Sequence, residues 1–343
     1  MKLSVPTESI RDRDMVVDRY GRVHQVIGSL HPQSWVYAIS KYIPTRAPTL
    51  WKKGPIYLKR LFHEYTPLIA NISQHHCSSW EYKSVFPCVH TSEILSVIFP
   101  EKGVERLISS TKDELERDAL SLLNDLVTMG ITSLSRLGIT GSLLGGFQNS
   151  SKSDIDIIIY DRNLPKGLST DVGKPFTGGI LREWIRRNSV KTGLSPRVIA
   201  ALYDPRRRFV YKNRLVTILL APPRESSHMT LEEHFSIKGE YIGLLEAILT
   251  PVDKTQVLSE HYYPHVTYFV LESIVRGHKV KPGIMVKLVS FESLFSGFHR
   301  FRRVYARAKA FYHSEAETLF LVVGTREEKT FAAPLNVMEG NQY

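Results

Sequence analysis

The N-terminal part of the chain alternates apolar and polar residues. Over residues 15–44 this alternation is interrupted at residues 20–21 and 29–34, which have the composition of turns. A period of two is typical of strands that bury one face, so this region is predicted to form antiparallel strands. Residues 48–90 are rich in aromatic side chains but show no clear period, and they are predicted to be irregular.

The clearest helical period runs over residues 109–129. Apolar residues recur there every three or four positions, acidic residues fall in the first turns, and a hydroxyl residue at 109–111 can serve as the N-cap. After Gly130 the helical period gives way to a glycine-rich turn. A short helix that begins at Ser142 and a β-branched strand, SDIDIIIYD, are predicted to follow.

The second half of the chain is predicted to contain one helical region followed mostly by strands. Residues 178–203 have a helical pattern that is broken near residues 193–196, and RLVTILLAP is typical of a buried strand. Five strand-like runs separated by turns lie between residues 239 and 324. The Pro222-Pro223 pair and the polar residues after it precede these runs, so the runs are predicted to form a separate β domain.

The strand SDIDIIIYD places two carboxylates at alternate positions. Because side chains alternate between the two faces of a strand, Asp154 and Asp156 are expected to project to the same side, with Ile155 facing the core. Hard divalent cations prefer carboxylate oxygen ligands. The pair is therefore predicted to bind Mg²⁺ or Mn²⁺ and to act in metal-dependent catalysis.

A turn that can bind phosphate precedes this strand. Gly141-Ser142 lies at the predicted start of a short helix, where backbone N–H groups, the helix dipole and the Ser142 hydroxyl can face an anion. Gly145 and Gly146 give that helix no side-chain bulk at these two positions. Each feature alone is common, but the combination of this turn with the two carboxylates shortly after it is not.

These motifs resemble those of a known superfamily. ITGS at residues 139–142, the glycine-bearing helix and SDIDI at residues 153–157 resemble the motif of the nucleotidyltransferase superfamily that includes DNA polymerase beta. The chain is also similar, over most of its length, to an archaeal family of predicted nucleotidyltransferases. The segments that carry this second resemblance, together with SDIDIIIY, are RDRD at 11–14, HP at 31–32 and KYIP at 41–44.

Together, the predicted elements and the resemblance imply an α+β fold. A central mixed sheet of the nucleotidyltransferase type, with helices, is expected between an N-terminal β-rich region and a C-terminal all-β domain. The predicted boundaries are residues 1–104 for the N-terminal region, 105–225 for the nucleotidyltransferase domain and 226–343 for the C-terminal domain.

The sequence departs from the superfamily pattern in one place. Active members usually carry a third acidic residue on a following strand, and in the predicted strand at 214–220 the corresponding position is Thr217. A site with two carboxylates should hold a metal ion more weakly. Four other acidic residues could supply the ligand, although none has the motif context: Asp161, Asp171, Asp204 and Glu225.

The charge of the chain suits a phosphate-rich partner. It carries 45 Lys and Arg against 34 Asp and Glu, a net charge of +11. Arginines cluster at 182–187, 206–208 and 300–303, although solvated helix faces are the ordinary explanation of such clusters. Nucleic acid bound through a basic surface is a predicted second partner. Because guanidinium groups match phosphate oxygens, four arginines are predicted to bind the triphosphate or the acceptor: Arg182, Arg186, Arg206 and Arg207.

Membrane, redox and zinc chemistry are not favoured. No apolar run reaches the roughly 20 residues of a membrane helix, and the N-terminus lacks a signal-peptide core, so a cytoplasmic protein is expected. Cys77 and Cys88 are the only cysteines, which argues against a disulfide framework and agrees with a reducing compartment. With His75, His76 and His90 they could bind zinc, but the spacing matches no paired Cys-x-x-Cys template, and packed or exposed side chains are preferred.

The predicted function is metal-dependent transfer of a nucleoside monophosphate from a nucleoside triphosphate to an acceptor hydroxyl, with the acceptor left open. One alternative is a non-catalytic nucleic-acid-binding protein, for which the missing third carboxylate would be decisive. Another is a regulatory or structural module that senses nucleotides through the same pocket. Binding without turnover would distinguish either alternative from an enzyme.

Overall fold

A computed structural model describes residues 9–61, 75–161, 168–224, 234–236, 238–252, 262–325 and 327–339. The chain divides into two compact units. The first unit comprises Met1–Cys77, Phe86–Ile180 and Asp204–Ser226. The second unit comprises Ser78–Val85, Leu181–Tyr203 and Ser227–Tyr343. Each unit is therefore assembled from three stretches of the chain.

The chain is mostly β, and its described strands form three sheets of eight, five and six strands. The predicted α+β fold, organised around a central nucleotidyltransferase-type sheet with helices, is therefore wrong. One cause is residues 48–90, which were expected to be irregular and contribute four strands. Their aromatic and polar side chains hide the alternation, because the strands are short and several side chains remain exposed on both faces.

The eight-stranded sheet is formed by the N-terminal part of the chain. Its strands are β1 (Met15–Asp18), β2 (Val23–Val26), β3 (Trp35–Thr45), β4 (Trp51–Lys53), β5 (Ile56–Arg60), β6 (His75–Ser79), β7 (Ser84–His90) and β8 (Ile94–Ile98). They follow the order β4-β5-β3-β2-β1-β8, and β7 pairs with both β3 and β6. Alternate residues of β1 to β3 fill the core on one face, as their period predicts: Val16, Val26, Val36 and Ala38.

A disulfide bond joins β6 to β7. It links Cys77 and Cys88, whose Cα atoms are 5.9 Å apart. The expectation against a disulfide is wrong, because it was argued from the compartment and could not foresee that a hairpin brings these residues side by side. The bond uses both sulfur atoms, so neither cysteine is available to zinc as a thiolate.

The five-stranded sheet lies in the middle of the chain. Its strands are β9 (Leu137–Ile139), β10 (Ile155–Ile159), β11 (Lys174–Pro175), β12 (Arg208–Tyr211) and β13 (Arg214–Leu220). They follow the order β11-β12-β13-β10-β9, and β10 runs parallel to β13. Ile157, Ile158 and Ile159 are fully buried, because β10 is an inner strand that is covered on both faces.

Three helices accompany this sheet: α1 (Pro100–Ser109), α2 (Glu114–Thr128) and α3 (Gly141–Gly145). The helix predicted over 109–129 is therefore shorter at its start. Its N-cap is Asp113, whose side chain accepts a hydrogen bond from the Glu116 backbone N–H at 2.9 Å. The predicted apolar face of α2 is fully buried at Leu115, Ala119, Leu122, Leu123 and Leu126.

The six-stranded sheet belongs to the second unit. Its strands are β14 (Glu240–Pro251), β15 (His265–Arg276), β16 (Met285–Ser290), β17 (Val304–His313), β18 (Thr318–Val323) and β19 (Phe331–Pro334). They follow the order β14-β15-β16-β18-β17-β19, and an additional pairing of β14 with β17 closes the sheet on itself. β14 to β18 are the five predicted strand-like runs, and β19 was not predicted.

Helices also belong to this second unit, so the expectation of an all-β C-terminal domain is wrong. They are α5 (Pro196–Leu202) and α6 (Leu335–Glu339), while α4 (Gly178–Thr192) begins in the first unit and continues in the second. Val198, Ile199 and Leu202 of α5 join the core of the closed sheet. The break predicted near residues 193–196 is confirmed, with Ser195 as the N-cap of α5. Among the described residues, none of the helices combines the length and the apolar character needed to cross a membrane.

Candidate metal and phosphate site

The two predicted metal ligands lie at the start of β10. Asp156 is the second residue of the strand and is half-buried, whereas Asp154 directly precedes the strand and is exposed. Ile155 and Ile157 are fully buried, as expected for residues that alternate with the carboxylates. The carboxylates therefore lie at the start of a strand whose later residues are buried on both faces.

Gly141 lies directly against the Asp156 carboxylate. A Cβ atom added at Gly141 would be 2.8 Å from Asp156 Oδ2, and the backbone of Gly141 has φ = +69°. The Thr140 backbone N–H also donates to the Asp156 backbone carbonyl at 3.0 Å. Position 141 thus favours glycine for two reasons, the left-handed backbone conformation and the nearby carboxylate.

Replacing Gly141 with alanine should lower both the free energy of unfolding and the affinity for Mg²⁺. The left-handed conformation costs a residue with a Cβ about 1–2 kcal/mol, and the added atom forces the Asp156 carboxylate to move. Gly146→Ala is the matched control, because Gly146 also has φ = +69° but no atom lies within 4 Å of its added Cβ. Chemical denaturation and Mg²⁺ titration compare the two variants, and equal Mg²⁺ affinities would contradict this account of position 141.

Hydrogen bonds fix the loop between α3 and β10. The Ser142 hydroxyl donates to Ser153 Oγ at 3.1 Å, and the same oxygen accepts from the Asn149 backbone N–H at 3.0 Å. Arg214 on β13 donates to the backbone carbonyl of Ser150. The Ser142 hydroxyl, which was predicted to bind phosphate, therefore helps to hold the loop that leads into the carboxylate pair.

Three adjacent strands present a row of polar side chains. Asp156 on β10 is the register partner of Thr217 on β13, and Thr217 is the register partner of Arg208 on β12. The Arg208 guanidinium donates to the Thr217 hydroxyl at 3.4 Å. Because register partners share a face of the sheet, a carboxylate, a hydroxyl and a guanidinium lie side by side. Thr217 therefore occupies the place beside Asp156 where a third carboxylate was sought.

Opposing charges act on Asp156. Burial and, to a smaller extent, the negative charge of Asp154 raise the pKa of Asp156 to about 6. Three cations act in the opposite direction: Lys41 on β3, Arg208 on β12 and Arg13 in the turn before β1. A carboxylate whose pKa stays this high beside three cations lies in a poorly hydrated place, where charges interact strongly.

The turn that carries Arg13 is tied to the start of α3. Arg13 has φ = +71°, and its backbone carbonyl accepts hydrogen bonds from Thr140 Oγ1 at 3.2 Å and from Gln25 Nε2 at 2.7 Å. The Arg13 side chain pairs with Asp12 at 3.2 Å. A non-glycine residue keeps a left-handed conformation only where its surroundings fix it. Arg13 is thus held in place next to the residue that precedes Gly141.

Arg206 and Arg207 were predicted to bind phosphate, but one is engaged by a carboxylate and the other is buried. The Arg206 guanidinium forms two hydrogen bonds with the Asp204 carboxylate, at 3.0 and 2.8 Å, and Arg207 is buried. The next residue in the chain, Arg208, is the one of the three whose charge lowers the pKa of Asp156.

Arg182 and Arg186 are exposed residues of α4 in the second unit. Arg186 forms two hydrogen bonds with the Glu183 carboxylate, at 2.8 and 3.0 Å. Asp154 and Asp156 belong to the first unit. The structure therefore does not group these two arginines with the carboxylates in one unit.

The structure describes three of the four other carboxylates considered as a third ligand. Asp161 and Asp204 form ion pairs with arginines at 3.0 and 2.8 Å, Asp171 is exposed, and Glu225 lies outside the described residues. In the part of the chain that the structure describes, no group of three or more His, Cys, Asp or Glu side chains is arranged to hold a metal ion. The carboxylate pair fits a hard cation that takes its remaining ligands from water or phosphate oxygens.

Arg13, Lys41 and Arg208 were not among the predicted site residues. Arg13 and Lys41 fall within segments that carry the resemblance to the archaeal family, and Arg208 ends the cluster at 206–208. The positive residues within those segments and at the end of that cluster could have been considered as site residues from the sequence.

Comparison of the chain with models of protein families, with curated proteins and with solved structures gives no significant match.

Proposed function

We propose that this chain binds a nucleoside triphosphate together with Mg²⁺ or Mn²⁺ at Asp154 and Asp156. It transfers the nucleoside monophosphate to an acceptor hydroxyl, which loses its proton, while the bond between the α- and β-phosphates breaks and pyrophosphate leaves. The observation that carries the proposal is the convergence of charges at Asp156, where Asp154 and the three cations from separate elements all act on one carboxylate. The motif around Gly141 supports the same chemistry.

This combination of charges suits a metal-bound polyphosphate. A site for a divalent cation alone needs carboxylates, and a site for a phosphate alone needs cations. A metal–triphosphate complex presents a cation and several anionic oxygens at once. It therefore needs both kinds of group within a short distance, and separate elements supply them here.

Each residue has a distinct task in this proposal. Asp154 and Asp156 hold the divalent cation, which when bound neutralises phosphate charge and activates the attacking oxygen. Arg208 and Lys41 attract the phosphate oxygens, and the planar guanidinium can donate two hydrogen bonds to them. Because Gly141 has no Cβ atom, its backbone can lie close to the Asp156 carboxylate without displacing it.

A specific observation favours binding without transfer as the second candidate function. Thr217, the register partner of Asp156, has no charge, and its hydroxyl accepts a hydrogen bond from Arg208. In a two-metal displacement the ion that activates the attacking oxygen is usually held by further carboxylates. Slow transfer with ordinary binding is therefore the expected behaviour of this site.

Calorimetric titration with each of the four nucleoside triphosphates, with and without Mg²⁺, tests the proposal. We expect Mg²⁺-dependent binding in the micromolar range, about −8 kcal/mol. Labelled triphosphates offered with RNA, DNA and the protein itself as acceptors then reveal any transfer. No binding of any triphosphate would overturn the proposal, whereas binding without labelled product would favour the second candidate function.

Replacing Arg208 with alanine should weaken triphosphate binding at least about tenfold, because an Arg–phosphate contact is worth roughly 1.5–3 kcal/mol. Arg206→Ala is the matched control, since its guanidinium is held by Asp204. It should leave the affinity nearly unchanged. The same titration measures both variants, and an equal or larger loss for Arg206→Ala would contradict the assignment of Arg208.

A further inference from the structure

The turn at the tip of the β6–β7 hairpin presents a tryptophan to solvent. Trp80 is 70% exposed, although tryptophan is buried on average. Lys83 is also exposed, with φ = +49°, and its backbone N–H donates to the Trp80 carbonyl at 3.3 Å. A lysine in the left-handed region persists only where its surroundings fix it.

Contacts within the second unit fix this turn. Tyr82 is 2% exposed, and its ring centre lies 4.7 Å from that of Phe235. The backbone carbonyl of Lys83 accepts a hydrogen bond from the Lys309 ammonium. One side of the turn is thereby anchored, and Trp80 is held on the other side in a defined orientation.

The Lys238 ammonium lies against the Trp80 ring although Lys238 is only 8% exposed, and a second exposed ring belongs to the same unit. Lys238 Nζ is 4.3 Å from the ring centre of Trp80 and 5.1 Å from that of Phe311. Phe311 lies 5.2 Å from Tyr241, which is 41% exposed, and Lys83 Nζ is 5.9 Å from the Tyr241 ring. The exposed residues Trp80, Lys83 and Tyr241, which are linked through the buried Lys238 and Phe311, are called the aromatic patch.

Carboxylates also act on this part of the unit. Glu81, which accepts a hydrogen bond from the Ser79 hydroxyl at 2.7 Å, acts on Lys238, and Glu328 acts on Tyr241. Glu327 pairs with Lys309 at 3.1 Å. Lys83 is therefore the exposed ammonium group of the aromatic patch that can attract an anion.

We infer that the aromatic patch binds single-stranded nucleic acid. Unpaired nucleobases stack on exposed aromatic rings, and each base is joined to a phosphate that a neighbouring ammonium group can attract. The exposed rings of Trp80 and Tyr241, with the exposed Lys83 ammonium 5.9 Å from the Tyr241 ring, match that chemistry. A duplex keeps its bases stacked on one another and cannot offer them to the rings. The inference goes beyond the proposed transfer reaction and holds whether or not transfer occurs.

Fluorescence anisotropy of labelled oligonucleotides, titrated with the full chain, tests the inference. Single strands should bind with an affinity that falls as salt rises, and duplexes of the same length should bind more weakly. Trp80→Ala should lower the affinity for single strands about tenfold, and Trp80→Phe should retain most of it. Lys83→Ala should reduce the slope of log affinity against log salt by about one.

Tyr20→Ala is the matched control, because Tyr20 is 55% exposed and lies 4.9 Å from the guanidinium groups of Arg19 and Arg22, but belongs to the first unit. It should bind single strands as the wild type does. Equal losses for Trp80→Ala and Tyr20→Ala, tighter binding of duplexes, or no salt-dependent binding would each overturn the inference.

Discussion

The Asp156→Asn variant should lose Mg²⁺-dependent triphosphate binding and should nevertheless be more stable than the wild type at neutral pH. The amide is a poorer ligand for a hard cation, so the affinity should fall at least tenfold, or about 1.4 kcal/mol. The same change removes a negative charge that burial and Asp154 disfavour. We expect the free energy of unfolding to rise by about 1–2 kcal/mol, as measured by urea denaturation.

The pH dependence of this gain has a defined sign. The ordinary pKa of 3.8 rises to about 6 in the folded protein, because burial and Asp154 disfavour the charged form. The folded state thus binds more protons than the unfolded state between about pH 4 and pH 6, and stability falls as pH rises through that window. Burial also raises the pKa of Asp14 to about 6. The stability of the wild type and that of the Asp156→Asn variant therefore both fall with rising pH because of Asp14. Only the difference between the two stability curves reports on Asp156.

Asp161→Asn is the control for this experiment. Asp161 follows the other end of the same strand and pairs with Arg136 at 3.0 Å near the surface. Its substitution should leave triphosphate binding unchanged, and it should not produce a gain in stability that grows between about pH 4 and pH 6. If Asp156→Asn kept full Mg²⁺-dependent affinity, the metal site would be wrongly assigned.

Replacing Thr217 with aspartate should convert a slow or inactive protein into a faster metal-dependent transferase. Thr217 is the register partner of Asp156, so a carboxylate there would lie where a third metal ligand is needed. We expect the rate of labelled transfer to rise by a factor of about ten or more, equivalent to about 1.4 kcal/mol or more of the barrier. The affinity for triphosphate should change much less, because transfer depends on the third ligand more than binding does.

The Thr217→Asn variant separates the effect of the new negative charge on the rate of transfer from the effect of the changed side-chain shape. The amide has the size of the carboxylate but cannot ionise, and it should leave the rate of transfer at the wild-type level. Robust transfer by the unmodified protein, with no effect or a loss on Thr217→Asp, would show that the third ligand lies elsewhere.

Much of the local structure could be predicted from the sequence, because it depends on local periodicity. The strands β1 to β3, the helix α2 and the five runs from β14 to β18 all follow a clear apolar period. The strands between residues 48 and 90 were missed because they are short and carry exposed side chains on both faces. The class of the whole fold was wrong for the same reason, since these strands enlarge the N-terminal sheet.

The candidate site was predictable only in the part that is continuous in sequence. Gly141 and Asp156 are linked by one turn, one short helix and one strand, and the structure brings them into contact. Arg13 and Lys41 lower the pKa of the same carboxylate although they lie far from it in the sequence, a proximity that no local pattern predicts. Arg206, whose type and cluster suggested phosphate binding, instead pairs with its own neighbour Asp204.

The arrangement of the two units has a consequence for synthesis on the ribosome. Ser78–Val85 belongs to the second unit, whose other two stretches begin at Leu181 and Ser227. Tyr82 therefore emerges long before Phe235, the ring against which it packs. The first unit in turn is completed only when Asp204–Ser226 has been made. The ribosome therefore begins the second unit before it has completed the first. Until Phe235 has been made, Tyr82 lacks this packing partner and can bind chaperones or misassemble.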